Sequence, residues 1–154
     1  MGPTKNIGFL LNHLAFVLGR RSDQVLQVRL GIGLSQFKIM MTLQKAPHIQ
    51  QKQIANKLGQ TEASISRQIK LLQDQGLLQT VINSANKREH ITTLTTKGDR
   101  FTDEAVSMLE NYHAPMFDKL TDKQQDALRE SLEVLHSFAC NSNGVSACHQ
   151  ATQK

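Results

Sequence analysis

The side chains with the most to offer a binding partner cluster in one short stretch, Thr61 to Gln75. Read as an α-helix at 100° per residue, it places Ile65, Ile69 and Leu72 on one face and Ala63, Ser66, Arg67 and Lys70 on the opposite one. The outward face is short, hydrogen-bonding and cationic, and this wheel assigns it no large apolar group. A DNA major groove about 12 Å wide admits one α-helix. Ser and Arg side chains can then reach base edges or phosphates, and Lys70 can reach the backbone. Thr61 and Ser64 open the helix, where free backbone amides favour a phosphate, and Gln68 adds a further hydrogen-bonding side chain. An ordinary amphipathic helix with a solvated face would carry the same pattern, so its neighbours decide between the two.

Those neighbours form a motif. A short helix over about Gln50 to Leu58 turns Ile54, Ala55 and Leu58 inward and ends at Gly59; the Thr61 helix follows and is closed by Gly76. This order matches a helix-turn-helix. The period then changes. Leu77 to Ile82 is apolar and β-branched, Asn83 to Lys87 is a polar turn cluster, and Arg88 to Thr95 carries Ile91, Thr92 and Thr93, which together predict one β-hairpin. Lys87 and Arg88 stand at its tip. Cations there, beside a recognition helix, can enter a narrow minor groove of strongly negative potential; the plainer alternative is that they solubilise a turn.

The remaining elements must hold this motif in place. Apolar residues from Ile7 to Leu30 recur at helical spacing over a long amphipathic helix, with Arg20, Arg21 and Arg29 on its polar side and Gly31 and Gly33 as its stop. Ser35 is the expected N-cap of a second helix, which carries Phe37, Ile39, Met40, Met41 and Leu43 and ends at Pro47. A helix over about Thr95 to Leu120 carries Phe101, Ala105, Met108, Leu109 and Tyr112, with a kink expected at Pro115. Thr121 caps a last helix with Leu128, Leu132, Leu135 and Phe138, and a polar tail begins at Asn141. The fold expected is mainly α with a small β-hairpin wing. Residues 1–33 are assigned to an N-terminal dimerisation helix, 34–98 to a winged helix-turn-helix, 99–140 to C-terminal dimerisation helices and 141–154 to a flexible tail.

The charge distribution follows this division. Residues 1–49 carry six Lys/Arg and one acid, residues 50–100 eight and four, and residues 101–154 four and eight. A polyanion would meet the first two-thirds and be repelled by the last third. No stretch reaches the roughly 18 apolar residues that cross a bilayer, and Met1 to Phe9 lack a secretory apolar run. Two cysteines, Cys140 and Cys148, make no disulfide framework, so a reducing cytoplasm is expected. There is no phosphate-binding glycine loop, no nucleophile elbow and no metal-hydrolase spacing, which argues against an enzyme.

Residues 53–78, QIANKLGQTEASISRQIKLLQDQGLL, resemble the helix-turn-helix of the MarR family of bacterial regulators. The family's wing motif is similar to Asn86-Lys-Arg88 with Leu94-Thr95 and Gly98, and Leu34-Ser-Gln-Phe37 resembles the family as well. Asn86 departs from the usual Asp, so it can accept a hydrogen bond but cannot pair by charge with the wing Arg. The resemblance implies a triangular homodimer joined by the first helix and the last two. Its function would be to regulate transcription, as a repressor, on a pseudo-palindromic double-stranded DNA operator.

The resemblance also implies a cleft for phenolic or other small ligands between the dimerisation and DNA-binding regions, with His13, Phe16, Arg20, Met40 and Met41 as candidates, although core packing is the favoured reading for Phe16 and the Met pair. Two further readings come from the residues alone. Cys140 and Cys148 could sense oxidants, although cations near them are scarce. His136 and Cys140, at i and i+4, could join Cys148 and His149 on a soft metal, but the second pair falls in the tail, so no metal and no cofactor are expected. A winged-helix adaptor for protein contacts is the remaining alternative.

Overall fold

The computed structural model of the protein describes residues 6–86 and 90–142. In chain order its elements are α1 (Ile7–Leu30), α2 (Leu34–Lys45), α3 (Gln51–Leu58), α4 (Glu62–Asp74), β1 (Leu78–Ile82), β2 (His90–Leu94), α5 (Thr96–Phe117) and α6 (Asp122–Ser142). β1 and β2 pair antiparallel, with Leu78 opposite Leu94 and Ile82 opposite His90. The mainly helical chain with one hairpin is the architecture the hydrophobic periods predict.

The chain breaks its helices where the backbone can turn left-handed. Gly31, Gly59 and Gly76 have φ of 69°, 62° and 72°, a region in which glycine has no Cβ to clash. α2 begins two residues earlier than expected. Its cap is Gly33 rather than Ser35: the Gly33 N–H donates to Gln36 Oε1 (2.8 Å) and the Leu34 N–H to Asp23 Oδ1 (2.8 Å). An acceptor from α1 thus replaces the local hydroxyl, and Ser35 is left to bond elsewhere. α5 runs through Pro115 but stops at Phe117, short of Leu120. α6 continues to Ser142, past the expected start of the tail.

The core gathers the inward faces of α2, α3 and α4. Ile39, Met40, Leu43, Ile54, Ile65 and Leu72 are fully buried, joined by Leu26 from the end of α1, Ile32, Leu77 and Ala105 of α5. α6 adds no buried side chain among its described residues. The junction between wing and α5 is tight. A Cβ at Gly98 would overlap the Leu77 carbonyl oxygen, so the approach of α5 to the end of α4 requires glycine there.

Candidate nucleic-acid interface

α4 is presented edge-on by its apolar face. Ile65, Ile69 and Leu72 enter the core, which turns Ala63, Ser66, Arg67 and Lys70 to solvent. Thr61 caps the helix, its Oγ1 accepting the Ser64 N–H at 3.2 Å. Gln68 is half-buried on the flank of the helix. Ser64 is also half-buried, and its hydroxyl donates to Gln60 Oε1 at 3.4 Å. Both polar groups of Ser64 are therefore engaged within the chain, and the exposed Glu62 sets a negative charge in the same first turn. A phosphate at this helix start would take the Ser64 N–H only by displacing its bond to Thr61, and it would meet the Glu62 carboxylate nearby. The outward face is not wholly polar either: Leu71 is 49% exposed.

Three hydrogen-bonded ties fix the attitude of α4. At its start, Gln60 Oε1 accepts from the Ser35 and Ser64 hydroxyls while Gln60 Nε2 donates to Ser35 Oγ at 2.9 Å, joining α2 to α4 through the turn. Along its side, Gln73 Nε2 donates to Thr80 Oγ1 on β1 at 2.6 Å. At its end, Lys97 Nζ donates to the Gln75 carbonyl at 2.9 Å and Thr95 Oγ1 to the Gly76 carbonyl at 2.8 Å. Each such bond contributes about 1 kcal/mol net, and together they leave the helix few ways to rock. None of the three has a local sequence signature.

The wing turn is built on Asn83, whose Oδ1 accepts the Ala85 N–H at 3.0 Å and whose carbonyl accepts the Asn86 N–H at 3.2 Å. An Asn that bonds its own backbone two residues on is a turn former. Lys87 and Arg88, the tip cations expected to meet DNA, lie outside the described residues.

The five residues expected to line a ligand cleft do not line one cavity together. Met40 is fully buried in the core. Met41 is half-buried and lines a cavity of about 540 Å³ between α2 and α5, with Phe37, Leu109, His113 and Phe117. Phe16 and Arg20 lie instead on the exposed side of α1, the guanidinium 5.9 Å from the ring centroid, and His13 stacks on Phe9 further along. His13, Phe16 and Arg20 thus stay on the exposed side of α1 while Met40 and Met41 of α2 turn to the core and to a cavity wall. The structure adds His113, whose Nε2 lies 2.9 Å from Ser22 Oγ across 91 residues of chain. Cys140 lies in α6 with its side chain outside the described residues, as are Cys148 and His149. Among the described residues, no three His, Cys, Asp or Glu side chains gather as they would around a metal ion.

Residues 32–90 match the model of the MarR family. That match spans the helix-turn-helix and the wing segment. Solved structures extend the likeness to the whole chain. MarR from E. coli in its apo form superposes with a TM-score of 0.74 at 21% identity, covering 84% of this chain and 96% of that one. MepR from Staphylococcus aureus, solved as a complex with DNA, gives 0.67 at 18% identity and covers 86% and 97%. CouR from Rhodococcus jostii RHA1, bound to p-coumaroyl-CoA, gives 0.69 at 18% identity and covers 100% and 99%. At these identities the likeness establishes the MarR-type winged-helix fold, arms included. None of the curated proteins matches the chain. No helix among the described residues is long and apolar enough to cross a membrane.

Proposed function

We propose that this chain is a homodimeric, sequence-specific regulator of transcription in the cytoplasm. It inserts α4 into the major groove of an operator, represses the genes beside it, and catalyses no reaction. The observation that carries the reading is Arg67 with Ser66 and Lys70, exposed on the face of α4 that the core turns outward. Arg can bond bidentately to guanine, and Lys to phosphates. Residues 34–98 are then the DNA-binding region, with the wing carrying Lys87 and Arg88 to the adjacent minor groove. Residues 1–33 and 99–140 pair two copies: Phe9, Phe16, Leu132, Leu135 and Phe138 are exposed along α1 and α6, more apolar surface than a lone chain usually leaves in water. The complex of S. aureus MepR with DNA supports the first half of this reading. An effector with a small aromatic group suits the apolar cavity between α2 and α5, and the p-coumaroyl-CoA held by CouR is a precedent for a regulator of this fold with a ligand that carries an aromatic acyl group.

The test is a mobility-shift titration with duplexes selected from a random pool, run from low to physiological salt. Several Lys and Arg contacts release counterions, so affinity should fall steeply with salt, and a two-fold dimer should select half-sites about one helical turn apart. A chain that sediments as a single subunit and ignores duplex DNA at low salt overturns the proposal.

A further inference from the structure

Leu71 is the feature of α4 that a solvated cationic face does not account for. It follows Arg67 by one helical turn, so the two side chains stand one above the other on the outward side. Its neighbours are committed elsewhere: Leu72 is fully buried in the core and Gln73 reaches β1 through Thr80. Leu71 keeps 49% of its surface exposed, and no other large apolar side chain of α4 is exposed. Inside a groove, such a side chain would desolvate any hydrogen-bonding base edge or phosphate it covered without offering a partner. One feature of the major groove suits it, the C5 methyl group of thymine.

We propose that Leu71 is a specificity-determining residue that reads one thymine in each half-site through its methyl group. The inference rests on the DNA-binding reading of α4 given above. Four residues advance the helix by about 6 Å, and successive base pairs are about 3.4 Å apart. The thymine therefore lies one or two base pairs from the base that Arg67 meets.

The experiment replaces each thymine of a selected duplex in turn by uracil, which removes the methyl group and nothing else. It measures the affinity of the full chain and of Leu71→Asn and Leu71→Met. At one position per half-site uracil should weaken the unaltered chain about fourfold, the effect of uncovering one methyl-sized group. Leu71→Met should keep that penalty, and Leu71→Asn should abolish it. Because Leu71 is half-exposed, both variants should stay folded, Leu71→Met melting with the parent and Leu71→Asn a little below it, which separates lost reading from lost folding. A uracil scan with no penalty, or a penalty that survives in Leu71→Asn, overturns the inference while the DNA-binding reading stands. A chain that selects no duplex overturns both.

Discussion

Helices α2, α3 and α4 cover their apolar faces within one chain, whereas the first half of α1 and all the described side chains of α6 do not. Ile54, Ile65 and Leu72 are fully enclosed; Leu135 is 50% and Phe138 75% exposed. Both regions are amphipathic at the same 3.6-residue period, so the rule that writes them is shared and only the supply of partners differs. The helix-turn-helix is a closed unit that can hold α4 still. The arms are open, and their apolar stripes stay uncovered within the single chain. The acidic run along α6, with Asp122, Asp126, Glu130 and Glu133, keeps that open end apart from a polyanion.

The sharpest way to break this contrast is a matched pair of truncations. Leu72→Ala removes a fully buried side chain and should cost about 2–5 kcal/mol of unfolding free energy at every protein concentration. Leu135→Ala should behave differently in urea titrations. Its loss should grow as the protein is concentrated into the range where the parent pairs, and fall below about 1 kcal/mol in dilute solution. Equal, concentration-independent losses from the two would show that the arms need no second copy.

The next effect is smaller and concerns binding alone. Arg67→Ala should weaken a selected operator by about 1–3 kcal/mol and relax the preference at one position, while leaving the urea midpoint unchanged. Lys70→Ala should weaken all duplexes alike and lower the salt slope by about one. Arg129→Ala on the open arm is the control. Its ion pair with Asp126 is exposed on both sides, so neither DNA affinity nor stability should move appreciably.

How legible each region was follows from what its signals depend on. α1 and α4 could be placed from periodicity, and Gly59, Thr61 and Gly76 marked the turn and helix ends because those are local backbone requirements. The outward position of Arg67 followed from the inward positions of Ile65, Ile69 and Leu72. Contacts across the chain left no such trace. Nothing near Ser35 says that Asp23, from another helix, will supply the cap in its place. Met40 and Met41 are adjacent and alike, yet packing sends one into the core and the other to a cavity wall. The wheel counted the apolar inward triad and passed over Leu71, whose exposure is settled by how deeply α4 sinks into the domain.

The smallest effect tests whether the closed unit truly fixes α4. Gln60 holds Ser35 and Ser64 through one amide, so it touches the first turns of both α2 and α4 without belonging to the outward face. Gln60→Ala should lower stability by only about 0.5–1.5 kcal/mol, since the released hydroxyls are half-buried and can find water. The informative readout is DNA affinity across a panel of duplexes. If Gln60 sets the attitude of the helix, every duplex should weaken by a similar small factor, and Ser35→Ala, from the far side of the tie, should reproduce the pattern. A loss confined to one base position would mean that Gln60 itself meets the DNA, and the tie between α2 and α4 would then be incidental to recognition.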